Sequence, residues 1–268
     1  MPTAAVSDIE MHYETEGSGD PLILIPYLSA DHACYAFQTP EYSKHFTCVG
    51  VDLRGAGTSD KPAGPYSMEQ MSDDVAGLMK IPGIDRAHIA GVSFGAAVGM
   101  WLAAKYPERV ASLSLHSAWA KTDAFIGVVA KGWQGMARDL GSVAEMVIQG
   151  IFPWCFTPEM YAEKPEFVAA LEDFVRGRPP QPVDAFLDQS EAVLAHDAEA
   201  QLGRIVAPTQ VTYGRWDLVT STRFAPALTE GIKAAELVVF EHLSHAGLHE
   251  DAEGFNRVTL EFLTRQKL

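Results

Sequence analysis

Short apolar runs recur along the chain, separated by longer segments in which apolar residues follow a helical period. The runs are mostly continuous rather than alternating, which is typical of strands buried on both faces of a sheet. They are Leu22–Ile25, Thr47–Val51, Ala87–Val92, Val110–Leu115, Thr209–Tyr213 and Leu237–Phe240. The opening segment, Ala4–Thr15, alternates more regularly and predicts an antiparallel hairpin at the edge of the sheet.

Helix signals lie between these runs. Ser67 and Gln70 have the spacing of a capping box and predict a helix that ends near Met79. The small residues of Phe94–Tyr106 predict a helix that lies close to the sheet. Strands that alternate with helices predict an open, doubly wound, mostly parallel α/β sheet. The last predicted helix carries its apolar residues on one face, at Phe255, Val258, Phe262 and Leu263.

One long stretch interrupts the alternation. Residues 119–203 show amphipathic helical segments and no convincing strand, with helix-capping signals at Ser142 and Thr157. We therefore expect these residues to form a helical cap. It would be inserted into a single α/β core made of residues 1–118 and 204–268.

Composition and charge exclude several classes of protein. The 268 residues are 47% hydrophobic and 21% charged, which is ordinary for a globular protein and excludes intrinsic disorder and a coiled coil. Asp and Glu number 35 against 20 Lys and Arg, so the net charge of −15 argues against binding to nucleic acid or to an anionic membrane.

The sequence also bears on cellular targeting and on the state of the cysteines. The N-terminus lacks the basic start and apolar core of a signal peptide, and no segment is apolar enough to cross a bilayer, so a cytoplasmic protein is expected. Cys34, Cys48 and Cys155 form no Cys-x-x-Cys pair and are expected to be buried free thiols.

The segment Gly91–Gly95 has the pattern Gly-x-Ser-x-Gly and joins a predicted buried strand to a predicted helix. Only small neighbours fit around a serine in so tight a turn, which would expose the hydroxyl of Ser93 at the carboxyl end of the strand. By itself this pattern is also compatible with a tight turn that has no catalytic role. Its position between strand and helix favours a nucleophile.

A serine hydroxyl needs a neighbouring base, and the base needs an acid that holds it in one tautomer. Asp217 follows the predicted strand that ends at Tyr213, and His245 follows the next strand. The chain order Ser93, Asp217, His245 is the one expected of a nucleophile elbow with its two partners.

Other acids and histidines compete for these roles. His242 belongs to the end of a strand, and His249 would share a helical face with His245. Because an alanine follows His245, the three histidines lack the glutamate of a His-Glu-x-x-His site, and no metal is expected there. Asp188 and Asp197 lie in the predicted cap, where a solvated helix charge is the simpler interpretation.

Together these features resemble an α/β-hydrolase over essentially the whole chain. The loop Asp52–Asp60 is similar to that family's Asp-x-Arg-Gly-x-Gly-x-Ser loop, although Ala56 stands where histidine is common. We expect Arg54 and Asp52 to have structural roles in it. The segment from Ser244 to Phe255 is similar to the family's histidine loop and last helix. The resemblance implies a Ser-His-Asp hydrolase that needs no metal or organic cofactor.

The loop after the first core strand departs from the common family pattern. Many members have His-Gly there, whereas this chain has Pro26, Tyr27, Leu28 and Ser29. Proline has no N–H, so we expect the first oxyanion donor to be the amide of Leu28 or, alternatively, of Tyr27, and the second to be the amide of Phe94. Enol-lactone hydrolases of the β-ketoadipate type, and the carbamate or aminoacrylate hydrolases near them, have loops that look more like this one.

Aromatic residues are concentrated in the predicted cap. For most of them, packing within the cap is the simpler interpretation. The candidates to line a substrate site are Tyr27, Trp119, Trp154, Phe156 and Trp216.

The sequence therefore predicts a serine hydrolase that acts on a carboxylic ester or lactone of small to medium, fairly apolar character. The charge of −15 disfavours a multiply anionic substrate. The alternatives on the same fold are hydrolysis of a carbon–carbon bond in a vinylogous diketone, cofactor-free oxygenation, and a slow-turnover ligand receptor. The expected partner is the small-molecule substrate, with a monomer and a homodimer both open.

Overall fold

In the computed structural model, which describes residues 2–80 and 83–268, eight strands form one sheet. They are β1 (Thr3–Val6), β2 (Ile9–Gly17), β3 (Asp20–Ile25), β4 (Phe46–Val51), β5 (Ala87–Val92), β6 (Val110–His116), β7 (Thr209–Gly214) and β8 (Ala235–Phe240). Their order across the sheet is β1-β2-β4-β3-β5-β6-β7-β8. β1 and β2 form an antiparallel hairpin that joins β4, and the remaining pairs are parallel. The predicted α/β architecture, with its antiparallel edge, is confirmed.

Helices follow the strands in the predicted alternation. The capping signal is real, since the Ser67 hydroxyl accepts a hydrogen bond from the amide of Gln70 at 3.0 Å. The α-helices are α1 (Thr39–Tyr42), α2 (Met68–Lys80), α3 (Phe94–Lys105), α4 (Ala124–Leu140), α5 (Val143–Met146), α6 (Phe152–Cys155), α7 (Pro158–Glu163), α8 (Pro165–Gly177), α9 (Val183–Leu194), α10 (Ala225–Gly231), α11 (Gly247–Glu250) and α12 (Ala252–Arg265). A π-helical segment, Val147–Ile151, joins α5 to α6.

The central strands are buried on both faces, as their continuous apolar sequences predict. Along β3, Ile23 and Ile25 pack into the core that includes α2, α3 and α10, whereas Leu22 and Leu24 pack into the core that includes α12. Successive side chains of a strand point to opposite faces, so a run of four apolar residues supplies both cores.

A buried ion pair secures the loop that follows β4. The Arg54 side chain is 1% exposed and donates from Nε and Nη2 to the two carboxylate oxygens of Asp74, at 2.6 and 2.9 Å. Asp8 accepts a further bond from Arg54 Nη2 at 2.8 Å. Asp52, in the same loop, accepts from the backbone amides of His32 and Thr58. Both Arg54 and Asp52 are thus part of the scaffold, as the sequence indicates.

Between β6 and β7 the chain forms helices α4 to α9, which we call the helical insertion and define as residues 119–203. Polar contacts hold it against the loop after β4: Gln189 donates to the carbonyl of Arg54 at 2.8 Å, and Gly64 donates to Asp188 at 2.9 Å. These contacts place the helical insertion across the carboxyl ends of the parallel strands.

Two further observations bear on the sequence expectations. Among residues 2–80 and 83–268, the structure contains no helix that is long and apolar enough to span a bilayer. Cys34, Cys48 and Cys155 are free and buried.

Candidate active site

Ser93 lies in a strained turn between β5 and α3. Its backbone has φ 52° and ψ −114°, in a region that residues with a side chain rarely occupy. A Cβ at Gly95 would lie 2.2 Å from the carbonyl oxygen of Ile25, and a Cβ at Gly91 would lie 2.3 Å from that of Gly95. Only glycine fits at either position. The Ser93 amide donates to the His116 carbonyl at 2.7 Å, which ties the turn to the neighbouring strand.

His245 lies in the loop between β8 and α11. The buried carboxylate of Glu250 accepts hydrogen bonds from the amide of Ser244 at 2.6 Å and from the amide and hydroxyl of Thr157 at 2.7 and 2.8 Å. The amide of Ala246 donates to the carbonyl of Cys155 at 2.9 Å. The residues on either side of His245 are therefore fixed both to their own helix and to the helical insertion.

Asp217 lies in the turn that follows β7, and its side chain is buried. Its carboxylate accepts hydrogen bonds from the amides of Val219 and Thr220 and from the Thr220 hydroxyl, at 2.8, 2.9 and 2.9 Å. Burial acts to raise the pKa of this carboxyl, but the adjacent His245 and these donors outweigh it and lower the pKa to about 2. The group is therefore a carboxylate at neutral pH.

The three side chains form one line of hydrogen bonds. Nε2 of His245 lies 3.0 Å from Oγ of Ser93, and Nδ1 of His245 lies 2.9 Å from Oδ2 of Asp217. A histidine whose Nδ1–H is held by a carboxylate presents the lone pair of Nε2 to the hydroxyl. The structure thus brings together the serine, histidine and aspartate that the sequence singles out.

The competing residues lie elsewhere. His242 is exposed, Asp188 caps the Gly64 amide, and Asp197 forms an exposed ion pair with Lys121 at 2.6 Å. His249 is buried instead in the wall of the same cavity as Ser93, and burial lowers its pKa to about 4. It is neutral at pH 7.

A pair of polar groups also faces the cavity. The hydroxyl of Tyr27 lies 3.2 Å from Nε2 of His249, and the two rings meet edge to face with centroids 6.0 Å apart. Burial raises the pKa of the Tyr27 hydroxyl well above its usual range, so it keeps its proton. Tyr27 therefore lines the cavity as predicted, and His249, which the sequence offered only as a rival base, lies beside it.

The loop after β3 reaches the same cavity. Leu28 and Phe94 both contribute to the wall next to Ser93, and Ser29 has a positive φ of 63° that turns the chain after Leu28. Within the described residues, neither the Leu28 nor the Phe94 amide donates to an intramolecular acceptor. Both amides are thus available to a ligand.

The cavity that opens at Ser93 has a volume of about 280 Å³ and is almost entirely apolar. Its polar side chains are Tyr27, Ser93, Thr220, His245 and His249, and no Lys, Arg, Asp or Glu is among its described lining residues. The helical insertion supplies much of the apolar wall, through Trp119, Ile126, Val147, Phe152, Phe156 and Leu171.

Two predicted lining residues do not reach this cavity, which corrects the prediction. Trp154 lies in the single turn of α6, where its neighbours Phe152 and Cys155 face inward and its own ring faces outward against Phe125 at 6.2 Å. Trp216 is 60% exposed, because its backbone amide and carbonyl are bonded to the histidine loop and its side chain projects into solvent. Trp119 and Phe156 do line the cavity.

The roles of two supporting residues were not predicted from the sequence. Thr220 donates to Asp217, and its hydroxyl also lies 3.3 Å from Nδ1 of His245. Glu250 holds the histidine loop against Thr157. An aspartate side chain commonly bonds to backbone amides of the turn that follows it, but this local signal does not identify the Thr220 hydroxyl. The contact between Glu250 and Thr157 joins residues 93 positions apart and has no local signal.

Comparisons with known proteins show the fold family. Residues 16–252 match the family model of the alpha/beta hydrolase fold. A 3-oxoadipate enol-lactonase from Acinetobacter baylyi is 31% identical over 98% of this chain and 96% of its own. A putative carbamate hydrolase, RutD, from Azorhizobium caulinodans is 28% identical over 98% of both chains.

Solved structures are similar over the same extent. The enol-lactonase from Burkholderia xenovorans LB400 has a TM-score of 0.86 at 28% identity, covering 98% of this chain and all of its own. Est816, described as an N-acyl homoserine lactone degrading enzyme, has a TM-score of 0.83 at 26% identity, covering 97% of this chain and 100% of its own.

Proposed function

This chain belongs to the α/β-hydrolase fold family, and from that premise we propose that it is a serine hydrolase of small to medium, uncharged, apolar carboxylic esters or lactones. The observation that carries the proposal is the hydrogen-bonded line from Ser93 through His245 to Asp217 at the wall of an apolar cavity. The relatives of this chain are named as hydrolases and lactonases. The serine mechanism and the substrate class are our inference.

Attack begins at Ser93. As Oγ bonds to the ester carbonyl carbon, its proton passes to Nε2 of His245, 3.0 Å away. The imidazolium that forms is stabilised by Asp217, which remains a carboxylate because of its low pKa. The three groups are already in hydrogen-bond contact, so little reorganisation precedes the step.

The carbonyl oxygen gains negative charge in this step. We assign its stabilisation to the backbone amides of Leu28 and Phe94, which flank Ser93 on the cavity wall and have no described intramolecular acceptor. Each such donor contributes about 2.7–4 kcal/mol to transition-state stabilisation in hydrolases where one was removed.

The intermediate then collapses. The protonated His245 gives its proton to the leaving alkoxide or enolate oxygen, and the acyl group stays on Ser93. Water next attacks the acyl-enzyme with His245 as base, which releases the carboxylic acid and restores the serine. A lactone follows the same steps, except that its acid and alcohol leave as one molecule.

The composition of the cavity wall favours an uncharged substrate. Because none of its described lining side chains is a Lys or Arg, a free carboxylate on the substrate would be buried without a partner, at a large cost. The Acinetobacter baylyi relative is named for 3-oxoadipate enol-lactone, a lactone derived from a dicarboxylic acid. We infer that this chain prefers neutral esters and lactones, with residues 119–203 as the cap that sets their size.

The test is a set of rate measurements. Purified protein should hydrolyse p-nitrophenyl esters of graded chain length and neutral lactones faster than lactones that bear a carboxylate. Ser93→Ala should lower kcat by roughly 10⁶-fold, because the nucleophile is lost. The matched control is Ser7→Ala, since Ser7 also has a positive φ but lies in the β1–β2 turn.

Two results would reject the proposal. Turnover that survives Ser93→Ala would show that Ser93 is not the nucleophile. Preferential hydrolysis of the carboxylate lactone would show that the proposed substrate class is wrong, without affecting the proposed mechanism. Consumption of oxygen, or cleavage of a vinylogous diketone in preference to any ester, would favour the other chemistries that this fold supports.

A further inference from the structure

A second group of polar side chains lies on the sheet away from Ser93. His12 and Glu14 are two residues apart on β2 and therefore share one face of the sheet. Glu14 pairs across the sheet with Gly50 of β4, which has no side chain. His32 occupies that space, because a Cβ at Gly50 would lie 3.0 Å from the His32 Cβ. Strand register and a glycine thus bring two histidines and a glutamate together.

The donor atoms of these three residues converge. Nε2 of His12 lies 3.3 Å from Oε1 of Glu14, and the rings of His12 and His32 have centroids 5.2 Å apart. One ligand-type atom from each of His12, Glu14 and His32 lies within 4.8 Å of the other two. This is the neighbourhood that a single metal ion needs to draw all three atoms into its coordination shell.

His12 supplies an independent reason to expect a ligand. Its side chain is 1% exposed, yet neither ring nitrogen makes a hydrogen bond within the part of the chain that the structure describes. Nε2 approaches Glu14 at 3.3 Å without hydrogen-bond geometry, and burying a ring nitrogen with its hydrogen-bonding capacity unmet is unfavourable. A metal bond to Nε2 would give that nitrogen a partner.

Asp52 fixes the orientation of the second histidine. Its Oδ1 lies 2.7 Å from Nδ1 of His32 and also accepts from the His32 amide at 2.8 Å. Oδ2 accepts from the amide of Thr58 at 2.9 Å, so the carboxylate is fixed on both sides. With Nδ1–H held by Asp52, the lone pair of His32 is on Nε2. A carboxylate behind the far nitrogen of a ligating histidine is a recurrent feature of metal sites.

We propose that His12, Glu14 and His32 bind one divalent transition-metal ion, with Asp52 orienting His32. Two imidazoles and one carboxylate are a ligand set that suits zinc, with water in the remaining position. The neighbouring carboxylate of Asp31 is already paired with Arg178 at 2.8 Å and is not needed as a ligand. The site is separate from the reaction assigned to Ser93.

The position of the proposed site implies a structural role for the ion. His32 follows directly on the loop that carries Leu28, whereas His12 and Glu14 belong to β2. An ion held by all three would join that loop to the sheet. We therefore expect the metal to raise the thermal stability of the protein and to take no part in proton transfer at Ser93.

The experiment measures metal binding directly. Full-length protein is stripped with a chelator and titrated with Zn²⁺ by calorimetry and with Co²⁺ by visible absorption. The expected result is one ion per chain, a tetrahedral cobalt spectrum and a zinc-dependent rise in Tm. Glu14→Gln and His32→Ala should abolish the spectrum, and Asp52→Asn should weaken binding by about tenfold to a hundredfold.

The controls are exposed histidines outside the group. His45→Ala and His242→Ala remove a histidine without touching the site and should leave binding unchanged. Binding that is lost in these variants but kept in Glu14→Gln and His32→Ala would overturn the proposal. So would the absence of any stoichiometric binding, which would mean that His12 and Glu14 form a simple ion pair. Glu14 and His32 are chosen because both are partly exposed and their replacement should not prevent folding.

Discussion

The carboxyl edge of the sheet and the helical insertion meet at one cavity but are built differently. At the sheet edge, each reacting group lies in the turn or loop that follows a strand, and hydrogen bonds that involve the backbone fix its position. In the helical insertion, the cavity wall is formed by single side chains from several helices, held mainly by apolar packing. The first region determines which bond is attacked. The second determines what fits beside it.

The largest effect is expected at the sheet edge. Asp217→Asn keeps the size of the side chain, but it removes the charge that holds Nδ1–H of His245 and stabilises the imidazolium. We expect kcat to fall by about 10⁴-fold with little change in KM. Steady-state kinetics on a neutral ester would check this, with Asp197→Asn as the control because Asp197 is an exposed acid outside the cavity. A loss below tenfold would show that Asp217 is dispensable.

This difference between the regions also explains what the sequence could predict. Ser93, Asp217 and His245 each lie in the turn or loop that follows an apolar run predicted as a strand, so periodicity and chain order identify them. The aromatic residues of the helical insertion carry no comparable marker. Trp154 and Phe156 are two residues apart, yet one faces solvent and the other faces the cavity, which depends on how α6 packs.

Contacts between segments that are distant in the chain could not be predicted from the sequence either. Glu250 with Thr157, and His12 with His32, come together only through the fold. His12 and Glu14 show the two-residue period of a strand face, but nothing local indicates that His32 lies above Gly50. Long-range packing, which a single sequence does not reveal, decides these parts of the molecule.

The next largest effect is expected on the free energy of unfolding, which should depend on an ion pair in the sheet scaffold more than on one in the helical insertion. Arg54 lies in the scaffold with its side chain 1% exposed, and Arg54→Met would leave Asp74 buried without its partner. We expect the free energy of unfolding to fall by about 3–5 kcal/mol. Arg176 joins α8 to α5 in the helical insertion through an exposed pair with Glu145 at 2.9 Å, and Arg176→Met should leave the free energy of unfolding nearly unchanged because water screens the pair. Urea unfolding of both variants measures this, and equal losses would contradict it.

Substrate selectivity should respond only to the inward-facing aromatic residue. Phe156→Leu enlarges the cavity and should change the ratio of kcat/KM for a long ester over a short one by about tenfold. Trp154→Leu makes the same kind of change on the outer face of α6 and should leave that ratio within about twofold. A series of p-nitrophenyl esters gives the measurement. The opposite order of effects would place Trp154 in the substrate path.

The last prediction concerns acid stability. Burial lowers the pKa of His116 to about 3 and those of His196 and His249 to about 4, against about 6.5 in an unfolded chain. Between pH 6.5 and 4 the unfolded chain therefore binds more protons, so the free energy of unfolding falls as the pH drops. Each histidine contributes up to about 1.4 kcal/mol per pH unit in this window.

The variant His196→Gln isolates the contribution of one histidine to the pH dependence of stability. His196→Gln can still donate to the carbonyl of Trp119, which the histidine approaches at 3.0 Å, but it does not titrate. We expect it to reduce the pH dependence by about one proton, whereas His242→Gln, at an exposed site, should not. Urea unfolding at a series of pH values checks this. A slope that is the same for both variants would show that His196 is not kept neutral by burial.

The central claim, that Ser93 is a nucleophile activated by His245 and Asp217 beside a working oxyanion site, is tested most directly by labelling with a fluorophosphonate. The account predicts one adduct per chain in the intact mass, located on the peptide that contains Ser93, and no adduct in Ser93→Ala. An adduct that persists in Ser93→Ala, or folded wild-type protein that forms none, would contradict it.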